Sequence, residues 1–258
     1  MLLAIDVGNT NTVFAVFAED GRMLGEWRSA TNADRTADEH GVWLAQLFAL
    51  EAIDRASITA GIIATVVPAT LFSLRRMFRK YLNCRALVVG APDVYLGVKV
   101  LVDRPEEVGA DRLVNAVGTF KEYGGPKIIV DFGTATTFDV MDEEGSYLGG
   151  AIAPGVNLSL EALHRASAQL PRVAIGRPDR VVGKNTVQAM RSGIFWGYVG
   201  LIEGVVARIR HEFGRPIGVI ATGGLAPLFG ECTSVLEHAD PQLTLKGLLA
   251  VYRRNVAR

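Results

Sequence analysis

The chain is poor in cysteine: it has only Cys84 and Cys232 among 258 residues, and they lie far apart in the sequence. Neither belongs to a Cys-x-x-Cys motif, so the sequence offers neither a disulfide framework nor a cysteine-rich zinc site. A chain of this length can bury roughly 70–75% of its unfolded surface and needs no such cross-link. Two thiols suit a reducing compartment, and we therefore expect a cytoplasmic protein.

An excess of charge and a long apolar run are also absent. The 27 Lys and Arg residues balance 27 Asp and Glu residues, which argues against bulk nucleic-acid binding because that needs a positive excess. No stretch of 18 uncharged apolar residues occurs, so we expect no membrane span. The N-terminus has no basic segment followed by an apolar one and a cleavage site, so we expect no secretory signal peptide.

Several familiar catalytic motifs are missing as well. VVGKNT (181–186) is not a P-loop, because six residues separate Gly176 from Gly183 where a P-loop has four, and Asn185 follows the lysine. No Gly-x-Gly-x-x-Gly follows a strand, and no Gly-x-Ser-x-Gly is present. The four histidines show no spacing typical of metal ligands.

An internal repeat is present instead. LLAIDVGNTNTVFAVF (2–17) and KIIVDFGTATTFDVM (127–141) each run from apolar residues into Asp-x-Gly, then a Thr/Asn cluster and a second β-like stretch. Such runs are typical of buried strands joined by a tight turn. Two copies this far apart exclude a solenoid. We expect two similar halves facing each other, 1–117 and 118–258.

The repeated hairpin suits phosphate binding. Glycine allows close backbone approach, and turn amides with Thr and Asn side chains supply donors. A carboxylate beside phosphates needs an intervening cation, so Asp6 implies Mg²⁺, directly or through water. Two facing hairpins could grip a triphosphate from both sides. The alternative is two ordinary hairpin turns, and the Gly-Gly of ATGGLA (221–226) is likewise by itself a common turn signal.

A second candidate site lies in VGADRLVNA (108–116). Asp111 and Arg112 stand at the apparent start of a helix, where an acidic residue is stabilised by the helix dipole. The functional interpretation is that Asp111 accepts a hydroxyl proton while Arg112 holds an anionic substrate group. The residues alone leave these two interpretations open.

Seven segments together resemble the type III pantothenate kinases of the acetate kinase/sugar kinase/Hsp70/actin superfamily. They occur in the family's order, cover nearly the whole chain, and are DVGNTNT (6–12), ATVVP (64–68), GADR (109–112), DFGTATTFD (131–139), GGAIAPG (149–155), the stretch from Thr186 to Ser192-Gly193, and ATGGLA (221–226). The resemblance implies an α/β fold of two ribonuclease H-like (actin-like ATPase) halves, each a mixed five-stranded sheet flanked by helices. It also implies ATP-dependent phosphorylation of pantothenate to 4'-phosphopantothenate, the first step of coenzyme A biosynthesis.

The resemblance further implies roles for individual residues. ATP would bind the first phosphate loop, the second loop and a glycine pair, formed by Asp6, Val7, Gly8, Asn9, Thr10, Asn11, Thr12, Val13, Thr134, Gly223 and Gly224. Pantothenate would bind Gly109, Ala110, Asp111, Arg112 and Thr186, with Asp111 as proton acceptor. Asp131 would hold a monovalent cation, K⁺ or NH4⁺, beside the Mg²⁺ implied at Asp6. Family members are homodimers, so we expect one here, with no nucleic-acid or membrane partner.

One departure concerns substrate packing. Many members carry a tyrosine seven residues before the glycine of GxDR, where this chain has Val102, and Arg104 replaces their asparagine before Pro105. Three alternatives stay open at this point. They are another small-molecule kinase of the superfamily, a non-catalytic nucleotide-binding regulator such as an accessory transcription factor, and an actin-like filament former.

Overall fold

The computed structural model describes residues 1–166 and 170–257 and divides the chain into two compact units. The first unit comprises Met1–Lys99, Asp103–Glu122 and Leu243–Arg258, and the second comprises Val100–Val102 and Tyr123–Gln242. These compact units differ from the expected division into 1–117 and 118–258 chiefly at the C-terminus. The last helix of the chain returns to the first unit.

Each unit is built on one five-stranded sheet. The strands of the first are β1 (Leu2–Val7), β2 (Asn11–Phe17), β3 (Met23–Ala30), β4 (Ala60–Thr65) and β5 (Ala86–Val88), and those of the second are β6 (Lys127–Phe132), β7 (Ala135–Met141), β8 (Tyr147–Pro154), β9 (Gly218–Gly223) and β10 (His238–Ala239). The first sheet has the order β3-β2-β1-β4-β5 and the second has the order β8-β7-β6-β9-β10. In both sheets the first three strands pair antiparallel and the others pair parallel. The expectation of two similar halves, each with a mixed five-stranded sheet flanked by helices, is confirmed.

The repeat extends to small irregularities. A register shift lies between Val16 and Phe17 where β2 pairs with β3, and another lies between Val140 and Met141 where β7 pairs with β8. The turns differ by one residue, because Gly8 to Thr10 connect β1 to β2 whereas only Gly133 and Thr134 connect β6 to β7. The two hairpins therefore have the same strand arrangement and corresponding register shifts, but their turns differ in length.

Helices complete both units. They are α1 (Ala37–Leu50), α2 (Leu71–Tyr81), α3 (Ala110–Tyr123), α4 (Val156–Ala166), α5 (Thr186–Phe213), α6 (Ala226–Gly230) and α7 (Leu243–Val256). Short 3₁₀ turns occur at Arg55–Ser57, Pro68–Thr70 and Pro105–Glu107. Helix α1 begins with a capping box, in which the Thr36 side chain accepts from the Glu39 backbone and the Glu39 carboxylate accepts from the Thr36 backbone.

The first sheet is covered on both faces. One face packs against α1 and α2 through side chains such as Ile5, Phe14 and Phe78. The other packs against α3 and α7 through small residues, Ala4 and Ala64 among them. Without α7 this second face would expose its apolar side chains to water, which explains why the C-terminal helix belongs to the first unit.

Two glycines let α3 and α7 approach closely. A Cβ on Gly247 would lie 2.1 Å from the carbonyl oxygen of Val114, and one on Gly118 would lie 2.8 Å from the carbonyl oxygen of Leu243. Any larger residue there would collide with backbone, which cannot move aside as a side chain can. The glycines therefore allow a helix from the far end of the chain to lie against the helix that begins with the GADR motif.

Helix α5 is the main helix of the second core. It packs on the second sheet through Phe195, Ile202 and Val206. By length and composition it could span a membrane, since its most apolar stretch of 18 residues has a mean hydropathy of 1.2. About 33% of that stretch is buried inside the protein. It contains no uncharged run of 18 residues, because Glu203 and Arg208 interrupt its apolar sequence. Core helices of globular proteins commonly pass the same test.

His40 is a buried titratable group in the first unit. Its side chain is 5% exposed, faces the Phe14 ring at 6.0 Å between centroids, and has a buried Nδ1 without a hydrogen-bond partner. Burial, and next the positive charge of Arg35, lower the His40 pKa from 6.5 to about 4, while Glu39 acts in the opposite direction. The neutral form is therefore the one that fits the fold.

This pKa predicts a loss of stability in mild acid. Between pH 6.5 and pH 4 the unfolded chain protonates His40 while the folded chain does not, so stability falls as the pH is lowered through this window. The full effect of this shift on the free energy of unfolding is roughly 3 kcal/mol. Urea unfolding at pH 7.5, 6 and 5 measures it: His40→Gln should show a smaller pH dependence than the unchanged protein. His211→Gln, at an exposed histidine, is the control. Identical pH dependence in all three proteins would refute the assignment.

Candidate active site

The first of the two expected phosphate loops follows β1 at the carboxyl end of the strand. Asp6 is the last but one residue of β1 and is half-buried. Gly8 donates its backbone N–H to the Asn11 carbonyl at 3.0 Å, which closes the turn. Asn9 and Thr10, at the tip, are exposed. We call residues 6–13 loop 1.

Val66 brings the GADR motif close to loop 1 within the first unit. The backbone N–H of Val66 donates to the Val7 carbonyl at 3.0 Å. On its other side, Val66 Cγ1 would lie 3.6 Å from a Cβ on Gly109. Since β1 and β4 are parallel, their carboxyl ends share one edge of the sheet, which is where ligands bind in open α/β sheets. Loop 1 and GADR therefore meet at that edge.

The GADR residues begin α3. Leu113 donates its N–H to the Gly109 carbonyl at 3.2 Å, the first bond of the helix. The Asp111 carboxylate folds back on the backbone: Oδ1 accepts from the Arg112 N–H at 2.8 Å and would lie 2.6 Å from a Cβ on Gly109. Gly109 thus leaves the space that the carboxylate uses. Asp111 and Arg112 are both half-buried, so part of each residue remains exposed to solvent.

The second unit contains the corresponding loop after β6. Asp131 occupies the position of Asp6, paired with Thr137 on β7 and with Thr222 on β9. Gly133 donates its N–H to the Ala135 carbonyl at 3.0 Å, and Thr134 at the tip is exposed. We call residues 131–137 loop 2.

Gly223 lies directly beside Asp131. It ends β9 with φ of +87°, and a Cβ there would lie 2.6 Å from both Asp131 Oδ1 and the Phe132 carbonyl oxygen. Two oxygen atoms therefore face the space that a side chain would fill. A carboxylate and a carbonyl are ligands suited to hard cations, so Asp131 fits the monovalent cation expected there.

The two other expected residues of the second unit, Gly224 and Thr186, lie just before or at the start of helices. Gly224 follows Gly223 and is exposed, and the chain then enters α6. Thr186 is the first residue of α5 and is exposed, next to the N-cap Asn185, whose side chain accepts from the Gln188 N–H.

The histidines and cysteines form no metal centre in the part of the chain that the structure describes. No group of three or more His, Cys, Asp and Glu residues there could hold an ion. A cation bound mainly by phosphate oxygens and one carboxylate needs no such group, and Mg²⁺ in kinases is commonly held in this way. Asp6, half-buried beside the exposed tip of loop 1, fits that type of ligation.

Sequence reasoning missed several residues that hold the loops. Val66 and Gly155 stood inside recognised motifs without a role, and Thr31, which contacts loop 1, stood in no motif. The carboxylate of Asp139 is fully buried and accepts from the Tyr147 and Thr137 hydroxyls at 2.7 and 3.0 Å. Only the internal repeat could have indicated Thr31. Thr31 directly follows β3 in the first half, and Gly155 directly follows the corresponding strand β8 in the second.

Comparison with known sequences points to one family. The sequence profile described as type III pantothenate kinase matches residues 2–208. A type III pantothenate kinase of Rhodospirillum rubrum is 66% identical over 255 residues, 99% of either chain. Another, from Paramagnetospirillum magneticum, is 63% identical and spans 99% of this chain and 98% of the relative.

Comparison with solved structures supports the fold alone, since identities are low. A provisionally assigned 2-dehydro-3-deoxygalactonokinase from Sinorhizobium meliloti gives a TM-score of 0.64 at 14% identity, covering 98% of this chain and 96% of that one. A provisionally assigned Baf family transcriptional activator from Campylobacter jejuni gives 0.60 at 17% identity, covering 99% and 100%. An activator of a 2-hydroxyisocaproyl-CoA dehydratase from Clostridium difficile, with bound ADPNP, gives 0.54 at 11% identity, covering 99% and 96%. The actin-like ATPase and sugar kinase fold is thereby confirmed.

The Gly223 geometry predicts a specific defect. In Gly223→Ala the added methyl collides with Asp131 Oδ1 and the Phe132 carbonyl and also disfavours the positive φ, so loop 2 must shift. A displacement of about 1 Å at such a site can cost about 10²-fold in activity. We expect this loss in ATP turnover with the circular dichroism spectrum unchanged. Gly176→Ala, where a Cβ meets nothing within 4 Å, is the control. Full activity of Gly223→Ala would contradict the geometry.

Proposed function

The chain belongs to the type III pantothenate kinase family, and we propose that it transfers the γ-phosphoryl group of ATP to the primary hydroxyl of pantothenate. The product is 4'-phosphopantothenate, which enters coenzyme A biosynthesis. One structural observation supports this most directly. Val66 joins the end of β1 to Gly109, so a phosphate-binding loop and a half-buried carboxylate share one edge of the first sheet.

Asp111 is the proton acceptor in this proposal. Phosphoryl transfer usually passes through a loose transition state, so the enzyme mainly positions groups and neutralises charge. An ordinary aspartate, with a pKa of about 3.9, cannot remove the hydroxyl proton before the reaction begins. It can orient the hydroxyl and take the proton late, when the new oxygen–phosphorus bond is forming. The bond from the Arg112 N–H to Asp111 Oδ1 fixes the carboxylate for this task.

ATP is bound by the two loops and the glycine pair. Backbone N–H groups and the Asn9 and Thr10 side chains of loop 1 bind phosphate oxygens, and Thr134 of loop 2 does the same. Gly223 and Gly224 offer a surface without side chains to the adenosine. Glycine suits that role because a flat ligand can approach its backbone closely.

Two cations complete the site. Neither loop contains a lysine, so phosphate charge has to be offset by other means. Asp6 holds Mg²⁺, directly or through water, and Asp131 with its neighbouring carbonyl holds K⁺ or NH4⁺. Bound cations supply the positive charge that lysine provides in many other kinases.

Pantothenate is bound by GADR and Thr186. Arg112 suits its carboxylate, because a guanidinium can form two parallel hydrogen bonds to one. Val102 stands where many family members have a tyrosine, so one hydroxyl and an aromatic face are missing from the pantothenate site. The substrate is therefore packed differently here.

The protein acts as a cytoplasmic homodimer without a nucleic-acid or membrane partner. The exposed face of α5 supports the dimer, because a Cβ on Gly193, Gly197 or Gly200 would meet nothing within 4 Å. Glycines on one helical face allow a second backbone to pack closely, and such a contact would also cover the apolar surface that makes α5 hydrophobic. A neutral net charge gives no support to nucleic-acid binding.

The proposal predicts ADP release that requires pantothenate. ADP should appear with Mg²⁺, ATP and pantothenate, and the rate should fall when K⁺ is replaced by Na⁺, since the smaller ion fits the Asp131 site differently. A coupled ADP assay measures both effects. Fructose, acetate and N-acetylglucosamine at equal concentration serve as control acceptors. ADP release that is independent of pantothenate would overturn the function, and equal rates in K⁺ and Na⁺ would overturn the cation site alone.

Asp111→Asn tests the proton acceptor. The amide keeps the size of the side chain but cannot accept a proton, so kcat should fall by about 10²–10⁴-fold. ATP affinity should stay the same, because no ATP contact is assigned to Asp111. Steady-state kinetics together with calorimetric ATP binding separate the two effects. Asp93→Asn, at an exposed aspartate of the same unit, controls for the charge change. Near-normal kcat in Asp111→Asn would remove Asp111 from this role.

A further inference from the structure

Thr31, the first residue after β3, contacts loop 1 at three points. Its hydroxyl donates to the Gly8 carbonyl at 2.7 Å, and its backbone N–H donates to the Thr10 carbonyl at 3.0 Å. Its Oγ1 also lies 2.9 Å from Thr12 Oγ1. Thr31 lies outside every motif assigned to the site, yet it contacts the beginning, the tip and the end of the turn.

The corresponding residue in the second unit holds its loop in another way. Gly155 follows β8 as Thr31 follows β3, and its N–H donates to the Thr134 carbonyl at 3.1 Å. A Cβ on Gly155 would lie only 2.1 Å from that oxygen, so no side chain can stand there. The backbone bond is common to both loops, whereas the hydroxyl bond exists only in loop 1.

The difference in turn length explains why loop 1 needs the extra bond. Its turn has three residues where loop 2 has two, so one more peptide group must be held in place. The peptide unit is planar and trans, so fixing the Gly8 carbonyl also fixes the direction of the Asn9 N–H on the opposite side. The bond to the Thr10 carbonyl fixes the Asn11 N–H in the same way. Two prospective phosphate donors are thereby oriented before any ligand arrives.

We propose that Thr31 is a positioning residue for ATP, whose hydroxyl holds the loop 1 peptides in the orientation that receives the phosphates. This inference rests on the proposed function, because it takes loop 1 to bind ATP. The Thr31 hydroxyl is already engaged with Gly8 and Thr12, so Thr31 acts through the loop. Loss of the hydroxyl should weaken ATP binding and leave pantothenate binding unchanged.

Three variants test the proposal by steady-state kinetics for each substrate. Thr31→Val keeps the shape and the backbone bond but loses the hydroxyl, and its KM for ATP should rise about three- to tenfold, as expected for one hydrogen bond. Its KM for pantothenate should not change. Thr31→Ser restores the hydroxyl and should return the KM for ATP to within about twofold of the original value.

Ser57→Ala is the matched control. The Ser57 hydroxyl donates to the Asp54 carbonyl at 2.6 Å and contacts the Met1 sulfur at 3.1 Å, so it also joins two segments. Its backbone carbonyl accepts from the Met1 amino group, which places it at the amino end of β1, opposite to loop 1. The same loss of a hydroxyl there should leave both KM values unchanged.

The outcomes separate this proposal from the function on which it rests. If the protein without any substitution released no ADP in response to pantothenate, the proposed function itself would be wrong. With an active protein, a normal KM for ATP in Thr31→Val, an equal rise in both KM values, or no rescue by Thr31→Ser would each overturn the positioning role. If Thr31→Val does not fold, Thr31→Ala carries the same test. Failure of both variants to fold would also overturn the proposal, because Thr31 would then be required for folding.

Discussion

The candidate site depends on one constraint of strand order. In each unit the strand that carries the aspartate, β1 or β6, lies between an antiparallel and a parallel neighbour. The antiparallel partner turns the chain back directly after the aspartate, so the turn stands at the carboxyl end of the strand. The parallel partner ends at the same edge and delivers a second segment there, Val66 in one unit and Gly223 in the other. A purely antiparallel sheet would send that segment away to the opposite edge.

The same arrangement is then adapted differently in the two units. The first unit has one more residue in its turn, and the Thr31 hydroxyl holds that turn. Beyond the parallel strand β4, Val66 lies beside Gly109 and so brings in the carboxylate at the start of α3. The second keeps a shorter turn, closes it against a glycine, and places Gly223 beside the aspartate. In the proposed function the first unit carries the proposed proton acceptor, whereas the oxygen-lined space suited to a monovalent cation lies in the second.

Most elements were predictable because they depend on local pattern. The apolar runs that lead into Asp-x-Gly predicted β1, β2, β6 and β7, and the position of Asp111 and Arg112 predicted the start of α3. The placement of α7 was not predictable, because its apolar face fits any sheet that lacks a cover. What decides it is the close approach of Gly118 and Gly247, two positions 129 residues apart that carry no mark in the sequence.

The sequence by itself determined the two hairpins, their aspartates, the GADR motif and, through them, the family. These depend on residue type and spacing along one segment, which are properties of the chain before it folds. Tertiary structure alone decided that Val66 connects loop 1 to Gly109, that Thr31 holds the loop 1 peptides, and that Gly223 leaves room beside Asp131. Each is a contact between segments far apart in the chain. Such contacts depend on strand order and backbone approach, which only the folded sheets create.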